Sequence, residues 1–288
     1  MKHVYFVDTT LRDGEQAPGV AFTVKEKVEI AKMLDSLGID QIEAGIPAMG
    51  PPEEEAIKEI AGLGLKALIS AWNRVNIGDI KASLACGVKH IHVSAPVSDI
   101  HIKSKLRKNR TWVIESMKRA VSYALEHGCR VTVGAEDASR ADLEFLIKFT
   151  VHARREGAER LRFADTVGVL DPFRTKQIIG MLIENTGMNI EFHGHNDFGM
   201  ATANTFAAFK AGARFLSTTL GGLGERAGNC SFEEILAVLK QHGGIDLNVN
   251  GDLLASVLSY LTAASGRFSF PLRPVCRVRH RQLPDLYL

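Results

Sequence analysis

The chain has 288 residues, enough for two ordinary domains or for one α/β barrel of roughly 250 residues. Hydrophobic residues make up 45% and charged residues 24%, with 35 basic against 33 acidic side chains. That balance fits a globular protein with its own core and argues against a nucleic-acid partner. No apolar run approaches the roughly 18 residues of a membrane span, and no signal-peptide pattern opens the chain, so no membrane partner is expected. Cys86, Cys129, Cys230 and Cys276 are scattered without a C-x-x-C pair. They read as reduced thiols in a cytoplasmic protein rather than a zinc site or a disulfide framework.

Short β-rich runs alternate with longer amphipathic stretches. Strands are expected at 4–8, 41–44, 66–71, 90–94, 130–134, 160–164, 189–193 and 215–220, each followed by a helical pattern. Eight such units fit a TIM (β/α)₈ barrel better than an open doubly wound sheet, which would normally show a glycine-rich phosphate turn after its first strand. Helix starts are marked by Thr23-x-x-Glu26 and Ser231-x-x-Glu234 as capping boxes, by Ser139 before Asp142 in the same arrangement, and by the Asp171-Pro172 step. Gly38, Gly87, Gly128, Gly157 and Gly212 follow helical patterns where αβ turns are needed. The barrel is expected to be complete near Gly243, which assigns residues 1–245 to it. Residues 246–288 form a short C-terminal extension, with one helical pattern at 252–264 and an irregular, arginine-rich tail from Gly266.

In such a barrel, function belongs at the C-terminal ends of the strands. Polar and titratable residues crowd that rim: Asp8 to Gln16, Glu43, Trp72 to Arg74, Glu136-Asp137, Asp165-Thr166, His193 to Asp197 and Gly224 to Asn229. His193 and His195, two apart on a strand, point to one face and can share a cation. Two histidines hydrogen-bonded in a polar core remain the alternative. Asp13, brought round from the first strand, would complete a facial N/N/O set suited to Zn²⁺, Mn²⁺, Co²⁺ or Fe²⁺ acting as a Lewis acid. Arg12 beside it can stabilise a developing oxyanion or pair with Glu15 or Asp8. Glu43 and Glu136 are candidate acid/base groups, hydroxyl partners or partners for Arg12. Thr166 can donate to a substrate carboxylate or simply pack. Lys103, Lys105, Arg107, Lys108 and Arg110 read as a solvated loop or as a clamp for the polyphosphate end of coenzyme A.

The segment from Asp8 to Gln16 (DTTLRDGEQ) resembles the signature of the metal-dependent acyl-CoA-condensing synthases and related lyases built on TIM barrels. His193 to Asn204 (HGHNDFGMATAN) and Gly222 to Asn229 (GLGERAGN) look like their second and third signatures. The resemblance covers residues 3–272, and the segments 71–74, 134–140 and 163–168 look most like homocitrate synthases of nitrogen fixation. It implies a Claisen condensation of acetyl-CoA with 2-oxoglutarate, giving homocitrate and CoA. Condensation on another 2-oxo acid, as by isopropylmalate or citramalate synthases, is the alternative. It further implies one divalent ion (Mg, Mn, Zn, Co or Fe) on Asp13, His193 and His195, with Asn229 a further candidate ligand. By the same resemblance Arg12 polarises the ketone, Gln16, Glu43 and Thr166 contact the keto acid, and Glu136 belongs to the acid/base network. The lysine-pathway homocitrate synthases carry an arginine and a serine where this chain has Thr132 and Gly134. Condensing members also continue into a helical subdomain with a histidine-containing segment that reaches the partner subunit's site. Here the match fades after about Pro274, so a homodimer is expected only if enough of the extension is present. The chain as it stands is expected to bind metal and keto acid but to turn over poorly, the barrel otherwise needing its own base.

Overall fold

The computed structural model describes residues 3–245 and 249–267. Eight parallel strands close into a barrel in chain order: β1 (Tyr5–Asp8), β2 (Gln41–Glu43), β3 (Leu68–Arg74), β4 (His90–Pro96), β5 (Arg130–Glu136), β6 (Arg160–Asp165), β7 (Asn189–Gly194) and β8 (Phe215–Thr218). The ring is sealed by β1 against β8, with Asp8 opposite Thr218. The helices are α1 (Val24–Ser36), α2 (Pro51–Gly62), α3 (Ile77–Ala85), α4 (Asp99–Ser104), α5 (Arg110–Glu126), α6 (Leu143–Arg155), α7 (Pro172–Thr186), α8 (Ala201–Ala211), α9 (Phe232–Val238) and α10 (Gly251–Ser265). The expected TIM barrel and all eight strands are present. Strands β3, β4 and β5 run two or three residues further toward the C-terminal end than expected.

The helix starts follow local chemistry. Thr23 and Glu26 make a reciprocal capping box at α1. Asp171 accepts from the amides of Phe173 and Arg174, with Pro172 in the first turn of α7. Two expectations are corrected. Ser231 accepts from the Glu234 amide, but the Glu234 carboxylate takes the Thr202 hydroxyl at 2.8 Å, so that box is half formed. Ser139 sits in a short 3₁₀ turn, and Asp142 itself caps α6. Of the stretch read as a basic loop, Lys103 lies in α4 and Arg110 opens α5, while Lys105, Arg107 and Lys108 lie in the connection between them. The helix expected at 252–264 is α10, whereas the expectations for 268–288 lie outside the described residues.

Apolar side chains such as Ile42, Ile91, Val93, Val131, Phe163 and Phe192 fill the space between sheet and helices and are almost fully buried. The barrel interior is different. TIM barrels usually fill it with branched apolar residues. Here Gln41, Glu43, His92, Arg160, Arg162 and Glu191 are all buried and bonded into one polar network, and buried His90 and Thr132 bond to each other beside it. Buried charges survive only when paired. Arg160 and Arg162 share Glu191, at 2.7 Å and 2.5 Å, and Arg162 also reaches Glu43 at 3.0 Å.

Candidate metal centre

The loop after β1 folds back so that Asp13 meets the end of β7. Asp13 Oδ2 lies 2.9 Å from His193 Nε2 and 3.6 Å from His195 Nε2. The candidate ligand atoms of Asp13, His193 and His195 all lie within 4.8 Å of one another, and this is the one such cluster of three or more among the described residues. All three side chains are buried. Burial works to raise the Asp13 carboxyl, but Arg12 and the histidine hydrogen bonds outweigh it and hold the group well below the usual range. Burial lowers His193, and Asp13 only partly offsets this. At His195 the Asp13 carboxylate nearby overcomes burial and raises the ring.

The other ring nitrogens show what the cluster is built for. His195 Nδ1 lies 3.2 Å from the Asp165 carbonyl, which can only accept, so Nδ1 carries the proton. In the neutral ring the Nε2 lone pair then faces the Asp13 carboxylate. His195 Nε2, Asp13 Oδ1 and Asn229 Oδ1 are each buried without a hydrogen-bond partner. A cation placed among them would satisfy all three, and fixing the far ring nitrogen is how proteins orient metal-binding histidines. His193 is held likewise, through Nδ1 and the Ser217 hydroxyl at 2.8 Å. Asn229 is fixed by its own amide, which donates to the Leu223 carbonyl at 3.0 Å. The donor set, two imidazoles with carboxylate and amide oxygens, fits a divalent ion.

Arg12 is fixed by its neighbours. Its Nε donates to Glu43 at 2.6 Å, and Nη1 lies 3.2 Å from Asp13. This excludes the surface pairing with Glu15, whose carboxylate instead binds buried Lys27 at 2.6 Å. Glu43 is buried beneath. Burial would raise it, but Arg162, Arg12 and His92 together hold it well below the usual range. It is therefore an ionised clamp for Arg12, and the free acid/base role considered for it does not fit. Thr166 accepts from the Asp137 amide at 2.9 Å, leaving its hydroxyl proton free to donate. Gln16 is exposed in the turn that follows Asp13, its amide donating to the Asp13 carbonyl at 3.0 Å. Glu136 stands across the mouth, held by Lys105 at 2.6 Å and by His101 at 3.1 Å.

The sequence reading missed the supporting groups: His92, Arg162, Glu191 and Ser217. The signal was available as period-two polarity, in His90-x-His92-x-Ser94, Arg160-x-Arg162 and Glu191-x-His193-x-His195. His92 donates from Nδ1 to Glu43 at 2.7 Å, while its Nε2 is buried without a partner. Burial, then Arg162, pushes this ring down to about 4, so it is neutral. Its Nε2 packs close against bare Gly134, where an added Cβ would stand 2.3 Å away.

Residues 3–260 match the HMGL-like family. The chain is 52% identical over 273 residues to 2-isopropylmalate synthase 2 of Caldanaerobacter subterraneus subsp. tengcongensis, covering 95% of this chain and 70% of that protein. It is also 52% identical over 241 residues to homocitrate synthase subunit alpha of Clostridium pasteurianum, covering 84% of this chain and 90% of that one. Among solved structures, the Bacillus subtilis HMG-CoA lyase superposes with a TM-score of 0.82 at 20% identity, covering 93% of this chain and 95% of that chain. That likeness speaks for the fold, while the sequence matches carry the assignment: the chain belongs to the HMGL-like family.

Proposed function

We propose that the protein condenses acetyl-CoA with a 2-oxo acid, and that 2-oxoglutarate is the acid, giving homocitrate and CoA. The observation that carries the condensation is the trio of unpaired buried atoms on Asp13, His195 and Asn229, beside a fixed guanidinium. Relatives named for isopropylmalate and for homocitrate synthesis stand at the same 52% identity, so relatedness alone does not choose the acid. The choice rests on His92. A neutral His92 nitrogen without a partner, next to Ser94 and bare Gly134, suits a polar end group better than a branched alkyl group.

Asp13, His193, His195 and Asn229 would hold one divalent ion, which supplies Lewis acidity to the ketone of the keto acid. Arg12, aligned by Glu43, donates to the oxygen that gains charge as the new carbon–carbon bond forms. Thr166 offers its hydroxyl to the keto-acid carboxylate, and Gln16 reaches the substrate by a rotation of its exposed side chain. Glu136 takes part in moving the proton lost from the acetyl methyl group. That carbon then bonds to the ketone carbon, and water releases the CoA thiol. The test is CoA-thiol release with 2-oxoglutarate, 2-oxoisovalerate and pyruvate in parallel. A tenfold or greater preference for 2-oxoglutarate is expected, falling at least tenfold in Gly134→Leu. Preference for either other acid would overturn the choice of substrate. No release with any of them, in the presence of bound metal, would overturn the condensation.

A further inference from the structure

A cavity of about 600 Å³ opens at the N-terminal ends of the strands, the end of the barrel away from the metal-ligand cluster. That volume lies within the roughly 300–1,000 Å³ typical of small-molecule sites. One wall is the Tyr5–Phe215 ring stack, with centroids 4.7 Å apart at 14°. Leu68 and Val88 add apolar surface. Arg160 lines the cavity, 2% exposed, with its guanidinium carbon 4.4 Å from the Phe215 ring centre. Its Nε and Nη2 are committed to Glu191 and Gln41, whereas Nη1 has no hydrogen-bond partner among the described residues. Lys66 and Lys89 stand exposed at the rim with no ion-pair partner among the described residues. Of the other charges at this mouth, Arg130 is taken by Glu159 at 2.6 Å, and Asp40 accepts the Phe6 amide at 2.7 Å. An unengaged guanidinium N–H, two unpaired ammonium groups and an apolar wall match an anion with an apolar body.

This mouth is wired to the other one. From Arg160 the ion pairs run to Glu191 at 2.7 Å, to Arg162 at 2.5 Å, to Glu43 at 3.0 Å, to Arg12 at 2.6 Å and to Asp13 at 3.2 Å. Every member is buried, apart from the partly buried Arg12, so solvent screens their charges little. An anion that draws the Arg160 guanidinium outward frees Glu191 to take more of Arg162. Glu43, and with it Arg12, must then readjust.

We propose that the N-terminal mouth binds a small organic carboxylate with an apolar body, and that this buried chain of ion pairs couples its occupancy to the metal centre. The inference does not depend on which reaction the metal centre performs. The test titrates 3-phenylpropanoate into the full 288-residue chain by calorimetry, with inorganic phosphate as the purely ionic comparison. Saturable binding of the carboxylate alone is expected. The Lys66→Ala/Lys89→Ala double variant weakens it at least tenfold, and Ala61→Phe, which fills the cavity, abolishes it. Neither change alters Mn²⁺ affinity measured without carboxylate. By reciprocal linkage, saturating 3-phenylpropanoate shifts the Mn²⁺ dissociation constant about fivefold or more. Absence of saturable binding overturns the site, as do retention of binding in both variants, equal binding of phosphate, and displacement of the probe by 2-oxoglutarate. Binding that leaves Mn²⁺ affinity unchanged overturns the coupling.

Discussion

In the middle of the barrel, Arg160 and Arg162 divide Glu191 and Glu43 between them, and each carboxylate has at least two cationic or hydrogen-bonding partners. One layer up, Asp13, His195 and Asn229 are just as buried, yet each keeps an atom with no partner. Both layers use charged residues in a low-dielectric interior, where an unpaired polar atom is costly. The carboxylates of the middle layer are satisfied by the chain itself, what stays open there being nitrogen on His90, His92 and Arg162, and that layer acts as scaffold. The upper layer is satisfied only when something else arrives, which marks it as a binding site.

The sharpest way to break this contrast is to remove a partner from the middle layer. Glu191→Ala leaves the buried Arg160 with Gln41 alone and Arg162 with Glu43 alone. Removing one member of a buried pair costs about 3–5 kcal/mol. Urea unfolding should show that loss, with metal affinity reduced only as far as folding is. A cost below about 1 kcal/mol would mean the middle layer does not act as scaffold.

The matching change in the upper layer should move chemistry instead of stability. Arg12→Ala is expected to lower kcat by about 10²–10³, the cost of losing one charged donor to a developing oxyanion. Thermal stability should change little, because Glu43 keeps Arg162 and His92. Arg12→Lys should rescue poorly, since a point charge cannot both hold Glu43 and donate to substrate. Full activity in the lysine variant would reduce Arg12 to a simple counter-charge.

A third region tests the same logic by pH. Asp8 faces outward at the end of β1, and burial raises its carboxyl to about 7 against bonds from Thr10, with Glu233 adding to the rise. Its Oδ2 and Glu233 Oε1 are both buried without partners. The folded state holds the Asp8 proton more tightly than the unfolded chain, so this group costs stability as pH rises from about 4 to 7. Asp8→Asn keeps an oxygen for the Thr10 amide and cannot ionise. It should be more stable than the parent at pH 8, by of order 2 kcal/mol, and nearly equal at pH 4. The same difference at both pH values would show that Asp8 carries no shifted proton.

The sequence was most readable where a physical rule is periodic or local. Short β-rich runs between amphipathic stretches marked all eight strands, and the Thr23 and Asp171 caps announced their helices. The His193-x-His195 pair was legible because two-residue spacing fixes a common face. Asp13 needed barrel closure to bring strand one against strand eight, one strand away from strand seven, and only the eightfold count suggested that. What stayed hidden was the partner of each charge. Arg12 could pair with Glu15 by proximity, but Lys27 claims Glu15 from α1, and Arg12 turns to Glu43 across the barrel. In the basic stretch 103–110 the connection at 105–109 was legible, but the partners were not: Asp99 engages Lys103 and Arg110 in the flanking helices, and Glu136 engages Lys105.

That basic segment gives the smallest effect expected. The Lys105 side chain is 57% exposed, and its pair with Glu136 is a surface ion pair, worth about 0–1 kcal/mol after solvent screening. Lys105→Ala should therefore leave the melting temperature almost unchanged. Two roles for the lysine then separate kinetically. If Lys105 holds the polyphosphate end of CoA, KM for acetyl-CoA rises while kcat is kept, and the rise shrinks as salt screens the contact. If it serves to hold Glu136 in place at the mouth, kcat falls and KM stays, with Lys105→Arg restoring most of the rate. The 2.6 Å contact to Glu136, together with His101 on the same carboxylate, favours the second outcome. A change confined to the KM for acetyl-CoA would return the segment to the role of a phosphate clamp.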